Sequence, residues 1–207
     1  MEDNRKDKVK VTHLTKKFDD LLVLDDISFT VKEGEFLCIV GPTGCGKTTF
    51  LNSLTKLYKP TSGEILINDE PVDLLKHNIA YIFQEYSTMP WLTVEENVGF
   101  GLDIKKIPKS EAKEKVNEYL QVVGLEKYRK YYPDQLSASM LQRVVIARAF
   151  ATEPEVLLMD EPYGQLDIEL RFRLEDELLK LWERNKTTVI FITHNIEEAV
   201  YLGEHIL

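Results

Sequence analysis

The sequence predicts an α/β fold: a mainly parallel sheet covered by helices, an antiparallel β region before it, and a helical segment inserted into it. Three observations carry this prediction. Short apolar runs at Phe36–Val40, Ile79–Phe83, Val156–Met159 and Thr188–Ile192 read as buried strands. The amphipathic segment Ile168–Arg184 separates the last two runs, so strands alternate with helix, the pattern of a parallel sheet covered on both faces. From about Val94 to Phe150 the apolar residues instead fall at helical spacing, as Val116, Leu120 and Val123 do.

Taken in chain order, apolar and polar residues first alternate from about Val9 to Val40. Val9-Lys10-Val11-Thr12 and Ile27-Ser28-Phe29-Thr30-Val31 show the pattern, and Asp19-Asp20 and Glu33-Gly34-Glu35 punctuate it. This is an antiparallel sheet with one face buried, leading into the strand Phe36–Val40. Gly41-Pro42-Thr43-Gly44-Cys45-Gly46-Lys47-Thr48 follows, spelling G-x-x-x-x-G-K-T, and Thr49–Leu54 continues as a helix. Lys59-Pro60-Thr61-Ser62-Gly63 is a turn, Glu64–Ile67 a further strand, and Ile79–Phe83 a buried strand ending at Gln84. In the helical middle, Ser110 is the expected N-cap of a helix that Gly124 closes. The core and β region are expected over about 1–85 and 153–207, and the helical subdomain over about 86–152. Together they form one domain, 1–207.

Strand, loop and helix in this register point to a nucleoside triphosphate site. The glycines let consecutive N–H groups turn toward one phosphate. Lys47 supplies a point charge on the β/γ-phosphates, and the Thr48 hydroxyl ligates Mg²⁺. Composition restricts the remaining possibilities. A net charge of −9 and 29% charged residues argue against non-specific nucleic-acid binding, which needs a basic surface. No apolar stretch approaches a membrane span, and the start Met1-Glu2-Asp3-Asn4-Arg5-Lys6-Asp7-Lys8 lacks the apolar core of a signal peptide, so a cytoplasmic, soluble chain is expected. Cys38 and Cys45 lie in a strand and in the loop, poor places for a disulfide or a metal site.

Other residues belong with the loop. Val156–Met159 delivers Asp160 and Glu161 to the carboxyl edge of the sheet, where open α/β sheets bind ligands. One carboxylate is needed for the Mg²⁺ shell and one to polarise the attacking water; Asp160 takes the first task and Glu161 the second. Gln84 ends a strand at the same edge, with an amide able to touch Mg²⁺ or water, and His194 follows Phe191-Ile192-Thr193 there.

Over essentially its whole length the chain resembles the nucleotide-binding subunits of ABC transporters. The matches are the phosphate loop Gly41–Thr48 with Thr49 after it, Gln84 as the Q-loop glutamine, Asp160-Glu161 as the Walker B pair, Asp167 in Gly164-Gln165-Leu166-Asp167 as the D-loop, and His194 as the switch histidine. Phe18 stands where the family places an aromatic that stacks on adenine. The resemblance implies a P-loop (RecA-like) core, ATP with Mg²⁺, a homodimer or heterodimer of ATP-binding subunits, transmembrane permease subunits and, indirectly, an extracytoplasmic substrate-binding protein. It also implies a peripheral position on the inner face of the cell membrane and no nucleic-acid partner. A soluble non-transport ABC ATPase, with its long insertions or tandem cassettes, does not fit in 207 residues.

One motif departs from the family. Its signature is Leu-Ser-Gly-Gly-Gln at a helix start that grips the γ-phosphate held by the other subunit; here it reads Leu136-Ser137-Ala138-Ser139-Met140. Ser137 keeps the hydroxyl, but Cβ atoms at Ala138 and Ser139 stand where glycine permits close approach. Slowed hydrolysis is therefore expected, and in the extreme a regulatory subunit that dimerises on ATP with little activity. Met89–Val98, Tyr132-Pro133-Asp134-Gln135 and Glu161-Pro162-Tyr163-Gly164 are similar to the nitrate, sulfonate, taurine and bicarbonate importer group. In that family the groove beside the Q-loop, with Tyr86, Met89, Pro90 and Trp91 as its candidates here, receives a helix of the permease. Ile206-Leu207 looks like the start of a strand that relatives continue, so a short or truncated protein with an exposed sheet edge is expected.

Overall fold

The computed structural model of the protein describes residues 4–164 and 166–207. Met1-Glu2-Asp3 of the charged N-terminal stretch and Gln165 of the 164–167 motif lie outside the described residues. Two compact units result, Met1–Ile79 with Lys186–Leu207 and Ala80–Asn185.

In chain order the elements begin with β1 (Asp7–Phe18), β2 (Leu21–Lys32), β3 (Phe36–Val40), α1 (Lys47–Leu54), β4 (Ser62–Ile67) and β5 (Glu70–Pro71). β6 (Ile79–Ile82), α2 (Val94–Ile104), α3 (Lys109–Val122) and α4 (Ala138–Ala151) follow. The chain then forms β7 (Val156–Asp160), α5 (Ile168–Asn185), β8 (Thr188–Thr193), α6 (Ile196–Leu202) and β9 (His205–Ile206).

In the first unit β1 pairs antiparallel with β2 and with β4, as the alternation requires. Val9, Val11 and Leu14 are buried while Thr12 and His13 are exposed. The three-residue step from Val11 to Leu14 is a bulge centred on His13, whose φ is 50°. It forces glycine at position 63, because a Cβ there would lie 2.2 Å from the His13 carbonyl oxygen. β3 runs parallel to β8, from Phe36 opposite Val189 to Val40 opposite Thr193, and β9 pairs parallel with its other side. All six residues of β8 are buried, as an apolar run covered on both faces should be.

In the second unit α2, α3 and α4 pack on one another, and α4 also meets α5. Thr93 starts α2 with a capping box: its hydroxyl accepts from Glu96 N and its own N–H donates to the Glu96 carboxylate. Two local expectations are corrected. Helix α3 is capped at Pro108, not Ser110, because the Pro108 carbonyl already accepts the Ala112 N–H at 2.9 Å and Ser110 falls inside the first turn. Strand β6 stops at Ile82, and Phe83, expected as its last buried residue, is 49% exposed. Gly124, at φ 67°, does follow the end of α3.

Candidate functional site

In the first unit the phosphate loop lies between β3 and α1. Gly44 and Gly46 have φ of 84° and 104°, the left-handed values that turn successive N–H groups inward. Gly46 has no room for a side chain: a Cβ would meet Leu24 Cδ2 and the Val23 carbonyl oxygen, both at 3.0 Å. Lys47 is only 8% exposed and its ammonium arches over the loop, donating to the carbonyls of Gly41 at 2.8 Å and Pro42 at 3.0 Å. No side chain caps α1 and no acidic residue stands in its first turn, so the positive helix end is left to an anion. Pro42, Thr43, Cys45 and Thr48 are exposed and Thr49 is half-buried.

The same unit carries Phe18 and His194. Phe18 ends β1 with its ring edge-on to Tyr58 at 5.2 Å and the Lys16 ammonium 4.6 Å over it. His194 is exposed on the turn between β8 and α6. That turn is tied down: Thr193 Oγ1 donates to Glu198 and accepts from Asn195 N at 2.9 Å, and Asn195 Oδ1 caps Glu197 N at 2.8 Å.

The second unit carries the carboxylates and the signature. Asp160, the last residue of β7, is 7% exposed, and Tyr81 on the neighbouring β6 donates its hydroxyl to Asp160 Oδ2 at 3.3 Å. Burial, reinforced by the Asp160 charge, pushes the Tyr81 phenol well above its usual range, so it stays a donor. Glu161 follows at φ 44°, a conformation that non-glycine residues rarely hold without cause. Gln84 is exposed, and Asp167 caps α5 through its Oδ1 and Leu170 N at 2.9 Å. Ser137 is the N-cap of α4, its Oγ accepting from Met140 N at 3.4 Å and lying 3.1 Å from Ser139 Oγ. Ala138 and Ser139 are the first two helical residues, and neither has a positive φ.

Phe18, the loop and His194 thus share one unit, and Gln84, Asp160, Glu161, Ser137–Met140 and Asp167 share the other. Sequence reasoning missed three residues. Tyr81 was hidden in an apolar strand pattern. Arg148 on α4 grips Ser87 O and Ser87 Oγ, both at 2.7 Å, and fully buried Asn97 bonds Met89, Leu92 and Thr93. The only available signal was a polar residue at a helix position facing the core. Thr48 and Asp160 offer hard oxygen donors. Each is an oxygen donor of the kind Mg²⁺ takes, and among the described residues no group of three or more His, Cys, Asp or Glu could hold a metal alone.

The sequence profile of the ABC transporter family matches residues 24–164. An uncharacterised ABC transporter ATP-binding protein of Methanocaldococcus jannaschii is 46% identical over 99% of this chain and 78% of its own. An aliphatic sulfonates import ATP-binding protein of Bacillus cereus is 42% identical over 94% of this chain and 76% of its own. Among solved structures, a dimeric ATP-binding cassette in a post-hydrolysis state with ADP and phosphate superposes with a TM-score of 0.83 at 35% identity, covering 96% of this chain and 93% of that one.

Proposed function

The chain belongs to the ABC transporter family as an ATP-binding subunit, and from that premise we propose that it hydrolyses ATP to energise a membrane importer of the sulfonate group. The phosphate loop supports this most: two left-handed glycines, an uncapped helix start and an arched Lys47 make an anion cradle with no other evident use.

In this reading Phe18 stacks on adenine while Gly41–Thr49 wraps the phosphates. Lys47 leaves its loop carbonyls for the β/γ-phosphate oxygens, where negative charge grows as the terminal bond breaks. Glu161 accepts a proton from the attacking water, and His194 and Gln84 orient that water and the γ-phosphate. Thr48 and Asp160, with Gln84, would hold Mg²⁺, which would supply positive charge against the phosphates. A second ATP-binding subunit, identical or different, completes the site by bringing the start of its α4, and Asp167 lies on the same seam. No helix among the described residues is long and apolar enough to cross a membrane, so contact with the membrane is assigned to permease subunits. A substrate-binding protein acts through them from the other side.

The altered signature slows the cycle in this reading. Ala138 and Ser139 sit in ordinary helical geometry, so the cost of losing glycine is the bulk of two Cβ atoms rather than backbone strain. Ser137 and Ser139 hydroxyls lie within bonding distance of each other, Ser137 exposed and Ser139 half-buried, so they can offer the phosphate a two-hydroxyl grip in exchange. ATP turnover of the parent and of an Ala138→Gly, Ser139→Gly variant separates these effects. The variant is expected to be faster, by up to about 10²-fold; equal rates would remove the slowed-hydrolysis reading. Turnover in the parent that is undetectable, alongside ATP-dependent dimers, would favour a regulatory subunit instead.

A further inference from the structure

Tyr81 lies in β6 next to fully buried Ile82, and Phe83 follows directly where the strand ends. The two rings stack with centroids 4.3 Å apart and planes 24° from parallel. That contact restrains the Tyr81 ring just where its hydroxyl reaches Asp160 Oδ2 at 3.3 Å. A carboxylate meant to ligate a cation has two nearly equivalent oxygens and a soft terminal torsion, and a fixed donor on one oxygen selects a single orientation for the other. The donor is a half-buried tyrosine whose ring is braced by stacking on Phe83, so the selection is made before any ligand arrives.

We propose that Tyr81 is a positioning residue for the nucleotide-bound Mg²⁺: its hydroxyl holds one oxygen of Asp160 so that the other is presented to the cation. The proposal rests on the reading of Asp160 as a Mg²⁺ ligand. It also gives the Tyr81–Phe83 stack a purpose, since Phe83 is followed directly by Gln84, and one short segment then sets both the glutamine and the carboxylate. A tyrosine that merely fills space would leave Mg²⁺ use untouched when its hydroxyl is removed.

The test uses the full chain as parent, Tyr81→Phe, Phe83→Leu and Asp160→Asn. Binding of a fluorescent ATP analogue is titrated against buffered free Mg²⁺, with a chelator-only series as the metal-free reference. Tyr81→Phe keeps the stack and removes one oxygen atom. It is expected to raise the Mg²⁺ concentration at the midpoint roughly tenfold, the low end for losing a partner of a metal ligand. Metal-free affinity and nucleotide-free melting temperature stay at parental values. Phe83→Leu, which loosens the ring but keeps the hydroxyl, shifts the midpoint the same way by less. A parental midpoint in both Tyr81→Phe and Phe83→Leu, with Asp160→Asn shifted, overturns the role of Tyr81 and leaves Asp160 in place. A parental midpoint in Asp160→Asn overturns the assignment of Asp160 and the proposal with it.

Discussion

Gly46 and Gly44 share a left-handed backbone but not a neighbourhood, and that contrast makes a residue-level prediction. A Cβ at Gly46 collides with Leu24 and Val23, whereas one at Gly44 meets nothing within 4 Å. Gly44→Ala is expected to cost only the backbone term, about 1–2 kcal/mol, and Gly46→Ala clearly more, read as the drop in melting temperature. Nucleotide affinity should fall further in the second. The two thiols divide as sharply. Cys38 is buried in β3, and that burial, with the Glu198 charge, pushes its thiol up to about 12. Cys45 is exposed on the loop. At mildly alkaline pH a maleimide should label Cys45 and spare Cys38, and ATP should slow the labelling, as mass spectrometry of the modified peptides will show. Labelling of Cys38 at a comparable rate would contradict the buried placement. The loop residues were legible in the sequence because their spacing spells a phosphate cradle. Tyr81 was not, because a tyrosine in an apolar strand reads as core until the neighbour across the sheet is known.

Among the elements, α2 and the segment before it are tied by a dense set of side-chain hydrogen bonds. Thr93 exchanges hydrogen bonds with Glu96, and these hold the Glu96 carboxyl below the usual carboxylate range. Thr93→Ala is expected to cost ~1 kcal/mol near neutral pH. A lowered pKa stabilises the folded state above the ordinary carboxylate range and ceases to do so as pH falls through the folded-state value. The gap between parent and Thr93→Ala should therefore narrow in acid, measured by denaturant titration at each pH. Asn97→Ala leaves the half-buried Met89 N–H and Leu92 carbonyl without their side-chain partner, while the Met89 and Thr93 carbonyls keep the Leu92 and Asn97 N–H groups, and it should cost more, about 2 kcal/mol. Element type was readable from period: alternation gave β1 and β2, apolar runs gave β3, β7 and β8, and helical spacing gave α2 to α4. Ends were harder. Pro108 displaced Ser110 as a cap because a carbonyl, not a side chain, opens α3, and β6 stopped before Phe83 because that ring stacks back on Tyr81 instead of entering the core.

At the scale of the molecule, the residues of the proposed site are divided between two units, and in the proposed reading the signature helix serves a nucleotide held by another subunit. A single chain cannot spell its partner, so whether that subunit is a second copy lay beyond the sequence even where every motif was readable. The fold class was legible because strand and helix alternate over the chain; the partner must be found in solution. The central claim is that ATP joins two such subunits around a site whose water is activated by Glu161. Glu161→Gln keeps size and hydrogen bonding but removes the base, so bound ATP should persist. The direct measurement is the molecular mass of Glu161→Gln on a sizing column with light scattering, with ATP, with ADP and without nucleotide. A dimer with ATP that returns to monomer with ADP is the expected result; a monomer under all three conditions would contradict the claim for a homodimer, and failure to dimerise with any co-expressed ATP-binding subunit would contradict it altogether.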